Sequence, residues 1–159
     1  MSAEAFDLGR VARTLVAENA FLTLATAGAD GVPWASPVWF ASRGLEVFVW
    51  ASKPGAQHSR NIAENPRVSL VVFDSTQTPG DVTALYLSAD AALAEGPEFD
   101  EALALFNARS LAQGLGEWDA SRLSEPARHR LYRAVVREAF VLDDHDERVE
   151  VSPKVESDA

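Results

Sequence analysis

The sequence predicts a mainly β protein, an antiparallel sheet with helices at its periphery. Three observations carry this expectation. Between residues 21 and 51, three apolar runs follow one another, joined by the turns Gly28-Ala29-Asp30-Gly31 and Arg43-Gly44. Strands joined by turns this tight pair antiparallel. There is no strand–helix–strand alternation, and neither GxGxxG nor GxxxxGK[ST] occurs, which argues against Rossmann and P-loop nucleotide folds. The chain has 159 residues, the usual length of one domain. A domain of about 150 residues buries roughly 70% of the surface its unfolded chain exposes, so one core suffices without staples. We expect a single domain over residues 1–151 and a flexible acidic tail over residues 152–159.

Residues 3–19 show helical periodicity. Phe6, Val11, Leu15 and Val16 share a stripe, and Asn19 is a natural stop. Residues 21–27 alternate as a half-buried strand and lead into the Asp30-Gly31 hairpin signal. The next strand, about 32–41, contains Pro33 and Pro37. Proline cannot donate to a ladder, so this is an edge or irregular strand. Residues 45–51 form the third strand. Pro54 suits the first turn of a helix over about 55–64, with Ser52 as its cap and Asn65-Pro66 as its stop. Residues 67–74 are apolar through their middle, which predicts burial on both faces.

A loop with Pro79-Gly80 and a strand over about 82–94 follow. Pro97 opens a helix whose first turn holds Glu98, Asp100 and Glu101, as its dipole favours. Its apolar stripe is Phe99, Leu103, Phe106 and Leu111. Residues 113–121 read as a loop around Trp118. Ser124-Glu125-Pro126 reads as another helix start, and residues 131–142 as a last long strand with a short partner at 149–151.

Composition narrows the function classes. With 24 acidic and 14 basic side chains the formal charge is −10, a field that repels a phosphate-rich duplex, so no nucleic-acid partner is expected. Cysteine is absent, which excludes disulfides and thiolate metal sites and is compatible with a reducing cytoplasm, the expected location. No apolar run approaches about 18 residues, so no membrane span is expected. The N-terminus lacks the basic start and apolar core of a signal peptide. Three histidines, His58, His129 and His145, are too scattered for a metal cluster by spacing. No GxSxG elbow is present.

The densest group of anion-holding side chains lies at Ser52, Lys53, Gln57, His58, Ser59 and Arg60, between two apolar strands and at a helix start. Helix N-termini attract anions, and a phosphate is the ligand this pattern fits. His58 either donates to that phosphate or is an exposed helix residue. Arg60 either meets the phosphate or pairs with Glu64 four residues on. Lys53 is either a phosphate ligand or solvated. Among Trp34, Trp39 and Trp50, one is expected to line a site and the others to fill core or interface. Trp118 is either a lid or an interface anchor.

The order Phe21-Leu22-Thr23-Leu24-Ala25-Thr26, Asp30-Gly31-x-Pro33, Pro37-Val38-Trp39-Phe40, Phe48-Val49-Trp50-Ala51-Ser52 and Asn65-Pro66-Arg67-Val68-Ser69-Leu70 resembles the pyridoxamine 5′-phosphate oxidase-like split-barrel flavoproteins. The likeness runs over residues 20–95. It implies a six-stranded antiparallel split β-barrel, a homodimer, and FMN at the subunit interface. It places Ser36, Pro37, Val38 and Trp39 along the flavin ring, Trp50, Ala51 and Ser52 along ring and ribityl chain, and Gln57, His58 and Ser59 near the phosphate.

Two departures stand out. The family often has a basic residue where this chain has Ser36, and an Arg-Lys pair where it has Gln57-His58. Lys53 or Arg60 then supplies the missing charge, or the cofactor is a deazaflavin such as F420. The resemblance implies a flavin-dependent oxidoreductase that moves a hydride between the flavin and a small organic substrate or nicotinamide. The alternatives are an F420-dependent reductase on the same fold, and a non-enzymatic flavin- or haem-binding protein. No Trp and Arg near the C-terminus match those that complete the vitamin B6 pocket, so that substrate is not expected.

Overall fold

The structure is a computed structural model that describes residues 7–154. Helix α1 (Leu8–Glu18) opens it, followed by β1 (Phe21–Ala27), β2 (Pro33–Trp39), β3 (Ala41–Arg43) and β4 (Val47–Ser52). Then come α2 (Gln57–Glu64), β5 (Arg67–Val72), β6 (Leu85–Leu93) and α3 (Pro97–Ala112). A 3-10 turn (Ala120–Leu123), β7 (Arg130–Leu142) and β8 (Arg148–Val151) complete it. No helix among the described residues is long and apolar enough to cross a membrane. The expected helical residues 3–6 and most of the expected tail lie outside the described residues.

All strand pairings are antiparallel, and the strand order is β2-β1-β5-β6-β7-β4-β3, with β8 on β7. The two ends of that order, β2 and β3, are consecutive in the chain, with only Phe40 between them. The sheet therefore returns on itself through one bent strand. This is a split barrel. The sheet has eight strands where six are expected, because the bent strand is split into β2 and β3 and because β8 adds a hairpin partner to β7. Phe40 is fully buried at the bend, and its N–H donates to Ala20 O at 3.3 Å.

Local chemistry explains the elements. Asp7 caps α1 by accepting from Arg10 N at 3.0 Å, and the Asn19 side chain closes its other end on Leu15 O at 2.8 Å. Gly31, at φ +74°, makes the β1–β2 hairpin, where Asp30 accepts from Val32 N. Pro33 and Pro37 pair with Ala27 and Thr23 on β2, whose other edge has no partner strand among the described residues. Their missing N–H groups therefore cost nothing there.

Two apolar layers hold the fold. Inside the barrel lie Leu22, Leu24, Phe40, Phe48, Trp50, Leu70 and Leu87, closed by Leu15 of α1 and Ile62 of α2. Outside it, Val47, Val49 and Leu131 pack under Ala102 and Phe106 of α3. Successive β4 side chains alternate between the two layers, so β4 is the strand buried on both faces. The sequence assigns that role to residues 67–74. In fact β5 is buried on one face only: Arg67 and Ser69 are exposed and Phe73 beyond it is 43% exposed, because no helix covers its outer side.

Two helix boundaries also differ from expectation. The α2 helix begins at Gln57 with Ala56 as its cap residue, and residues 53–56 form a turn closed by Ala56 N on Lys53 O at 3.0 Å. Ser52 does not cap it, because Ser52 is the last residue of β4, paired with Arg130, and its hydroxyl is engaged elsewhere. Near residue 124 the expected helix is absent. The 3-10 turn precedes it, capped by Asp119, and Ser124 is extended. Along α3 the buried line is Ala102, Phe106 and Ser110, while Leu111 is 54% exposed. The acidic stretch after β7 is partly ordered: Asp143 accepts from His145 N and Glu147 N and turns the chain into β8.

Candidate functional site

The rim of the barrel at α2 is polar and largely turned inward. Ser52 Oγ and His58 Nε2 are 2.8 Å apart, and both residues are buried. Burial lowers the pKa of His58 below its ordinary 6.5, which holds the ring neutral. Asn61 donates to Thr26 Oγ1 at 3.0 Å, and Glu64 Oε2 accepts from Ala29 N at 2.8 Å. These bonds bolt α2 onto the β1–β2 hairpin. A Cβ at Gly28 would stand 2.9 Å from Glu64 Oε2, so the hairpin approaches α2 closely because residue 28 has no side chain.

The first turn of α2 is left open. Ala56 provides no side-chain cap, so early amides of the helix lack the partner that Ser, Thr, Asp or Asn supplies. Ser59 lies in that turn, 3% exposed, and its hydroxyl has no hydrogen-bond partner. Gln57 donates to Asn61 Oδ1 at 2.9 Å. Arg60, exposed, reaches back to Gly55 O and donates to Gln57 Oε1 at 2.6 Å. It does not pair with Glu64. Lys53 stands exposed before this turn and meets no carboxylate among the described residues.

The other anticipated residues divide. On β2, Pro37 is exposed, Ser36 half-buried, and Val38 buried with only its backbone at the free edge. Trp50 is fully buried in the barrel, stacked on Tyr132 with centroids 6.2 Å apart and planes at 13°. Its indole N–H has no partner. Trp39 and Ala51 face the opposite way, into a cleft of about 460 Å³ between β4, α3 and residues 115–129.

That cleft is the part of the molecule that sequence reasoning missed. Trp39, Phe106, Trp118 and His129 form a chain of edge-to-face rings, with centroid separations of 4.9, 5.4 and 6.0 Å. Trp39 Nε1 donates to Gln113 Oε1 at 2.8 Å. Trp118 is pinned by two backbone bonds to the Asn107 amide, at 2.8 and 2.9 Å. Arg122 lies over the Trp118 ring, 3.9 Å from its centroid. The pKa of His129 is lowered by burial, and further by the positive charges of Lys53, Arg128 and Arg122 around it. Lys53 therefore connects the cleft to the α2 rim. The signal available in the sequence was an aromatic residue inside a glycine-containing loop, followed by Arg122, Arg128 and His129. Those positions are too far apart to read as one site without the fold.

A barrel closed through one bent strand, with an open helix start at its rim, defines the split-barrel class. The family model described as pyridoxamine 5′-phosphate oxidase matches residues 8–142, and the chain belongs to that family. No curated protein matches by sequence. Among solved structures, the chain is similar to a haem-binding protein from Mycobacterium smegmatis, with a TM-score of 0.70 and 23% identity over 92% of this chain. The match spans only 58% of that protein's length. It is also similar to HutZ, the haem storage protein from Vibrio cholerae, with a TM-score of 0.65 and 23% identity, over 84% of this chain and 94% of that one. A candidate pyridoxamine 5′-phosphate oxidase from Listeria innocua gives a TM-score of 0.62 and 18% identity, over 86% and 98% of the two chains. At these identities the likeness establishes the fold.

Proposed function

We propose that the chain is an FMN-binding oxidoreductase whose phosphate site is the open first turn of α2. One observation carries this reading: an uncapped helix start with a buried, partnerless Ser59 hydroxyl beside an unpaired Lys53. A phosphate there would accept from the free amides and from Ser59, and Lys53 would offset its charge. Gln57 would border it. His58 would support the turn from behind as a neutral partner of Ser52 rather than act as a phosphate cation, and Arg60 would brace the Gly55 loop. The free edge of β2, with Ser36, Pro37 and the backbone of Val38, would border the ring, next to Trp39 and Ala51. Trp50 would serve as the packed floor behind them. When bound, FMN supplies a ring that takes up and returns a hydride, and the protein orients it.

A homodimer belongs to this reading. Its support is the outer face of β2, β1, β5 and β6, where Pro37, Thr23, Ala25, Ser69 and Ser88 form a surface of small, uncharged side chains. The substrate is a small organic molecule or a nicotinamide. Because Gln57-His58 stands where the family often has Arg-Lys, F420 is the competing flavin. Side-by-side titration decides between the two, and FMN is expected to bind more tightly. A protein that is colourless as purified and does not quench FMN fluorescence at micromolar concentration would overturn the flavin reading.

A second reading, a non-enzymatic haem-binding protein, is favoured by His129. This is a neutral imidazole in an aromatic cleft, with Arg122, Arg128 and Lys53 able to meet carboxylates. It calls for a hemin Soret band that His129→Ala removes.

A further inference from the structure

The cleft is electrostatically unusual for this chain. The protein carries a formal charge of −10, and its other basic residues on the sheet are largely neutralised: Arg43, Arg67, Arg130, Arg133 and Arg137 each meet a carboxylate. Around the cleft the pattern reverses. Lys53, Arg122 and Arg128 gather near His129, and none of them forms an ion pair among the described residues. One carboxylate, Glu117, also lines the cleft, and it too is without an ion-pair partner there. In the lining itself Arg122 and Glu117 offset one another, and Lys53 and Arg128, near enough to act on His129, add positive charge beside the mouth. The walls are apolar and flat, made by Trp39, Phe106 and Trp118.

The walls are also firmly held. Ser110 Oγ donates to Gly116 O at 2.6 Å, Leu115 N donates to Ser110 O at 2.8 Å, and Asn107 grips Trp118 from both sides. A site fixed in this way is pre-organised, and binding costs it little ordering. Its volume of about 460 Å³ lies within the usual range for small-ligand pockets and is generous for a single ring.

We propose that this cleft is a binding site for planar aromatic carboxylates of two or three fused rings, one that adjoins the flavin site at Trp39 and Ala51 but can be filled together with it. The rings lie against Trp39, Phe106 and Trp118, and the carboxylate meets Arg122, with Lys53 and Arg128 adding to the field. Arg122 is already positioned by stacking on Trp118, and its backbone N–H donates to Asp119 O at 3.0 Å, while its guanidinium donates no hydrogen bond among the described residues. Its planar fork matches a carboxylate in two-point geometry. The proposal stands on the lining of the cleft and does not require the flavin reading.

The test is calorimetric titration of the full chain with 2-naphthoate and with its neutral analogue 2-naphthalenemethanol, each with and without saturating FMN. We expect 2-naphthoate to bind about tenfold or more tightly than the alcohol, the scale of one charge-assisted hydrogen bond. Arg122→Gln should remove most of that difference and leave FMN affinity unchanged. Because Arg122 is exposed, the variant should fold normally, and Arg122→Lys should restore part of the preference. Equal affinity for acid and alcohol would overturn the proposal. Competition between FMN and 2-naphthoate would assign the cleft to the flavin ring and overturn it too, as would hemin displacing 2-naphthoate with a Soret band dependent on His129. Binding of 2-naphthoate without FMN binding keeps this proposal and removes the flavin reading. FMN binding without 2-naphthoate does the reverse.

Discussion

The α2 rim and the α3 cleft lie on either side of Lys53 and are made of opposite materials. At the rim, polar groups satisfy one another: the Ser52 side chain with His58, Asn61 with Thr26, and Glu64 with the backbone N–H of Ala29. In the cleft, aromatic rings pack edge to face and the cations are left without partners. Polar residues close in sequence mostly bond to each other, and what remains for a ligand is whatever they leave unsatisfied. At the rim that remainder is small: the open first turn, Ser59 and Lys53. Unspent binding capacity is greater in the cleft, whose components are far apart in the chain.

The largest effect that follows concerns Trp50. If it is a packing residue behind the site rather than a wall of it, Trp50→Ala should lower stability by about 3–5 kcal/mol, as large core truncations do. Denaturant unfolding measures this, and a change near zero would place its ring back at the ligand. Lys53→Ala comes next. Losing one charge-assisted hydrogen bond costs about 1.5–3 kcal/mol, so FMN affinity should fall roughly ten- to a hundredfold. Fluorescence titration reads this directly, and an unchanged affinity would remove Lys53 from the phosphate site.

Both histidines, one in each region, make stability depend on pH. His58 and His129 both have pKa values below the ordinary 6.5 when folded. The unfolded chain therefore binds their protons first. Their contribution to stability is complete above pH 6.5, and it is lost as pH falls through the lowered folded values. His58→Gln should flatten part of that slope, and a double variant with His129→Gln should flatten more. A pH profile unaltered by either change would show that burial does not hold these rings neutral. The smallest effect is expected at Arg60. Its guanidinium is committed to Gly55 O and Gln57, so Arg60→Ala should weaken FMN by less than Lys53→Ala does, through the loop rather than through charge.

Much of the fold was legible. Alternation gave β1 and the hairpin, Pro97 gave the start of α3 and Asn19 the end of α1, because each of these signals acts over a few neighbouring residues. Burial of whole strands was less legible. The apolar run of β5 reads as buried on both faces, yet only the placement of α3 over β4 decides which strand receives a second layer. The site was legible as a segment and not as a geometry. Ser52, His58 and Ser59 are near one another as their spacing implies, but hydroxyl and imidazole turned toward each other rather than outward. The cleft was illegible because Trp39, Phe106, Trp118 and His129 meet only once β2, α3 and the following loop are in place.

A phosphate held at the open start of α2 must show in the affinity of any ligand that carries one. Measuring the affinities of FMN and riboflavin for the same preparation tests it most directly, since the two differ only in that group. FMN should bind about a hundredfold more tightly, from two or more charge-assisted contacts. Equal affinities would contradict it.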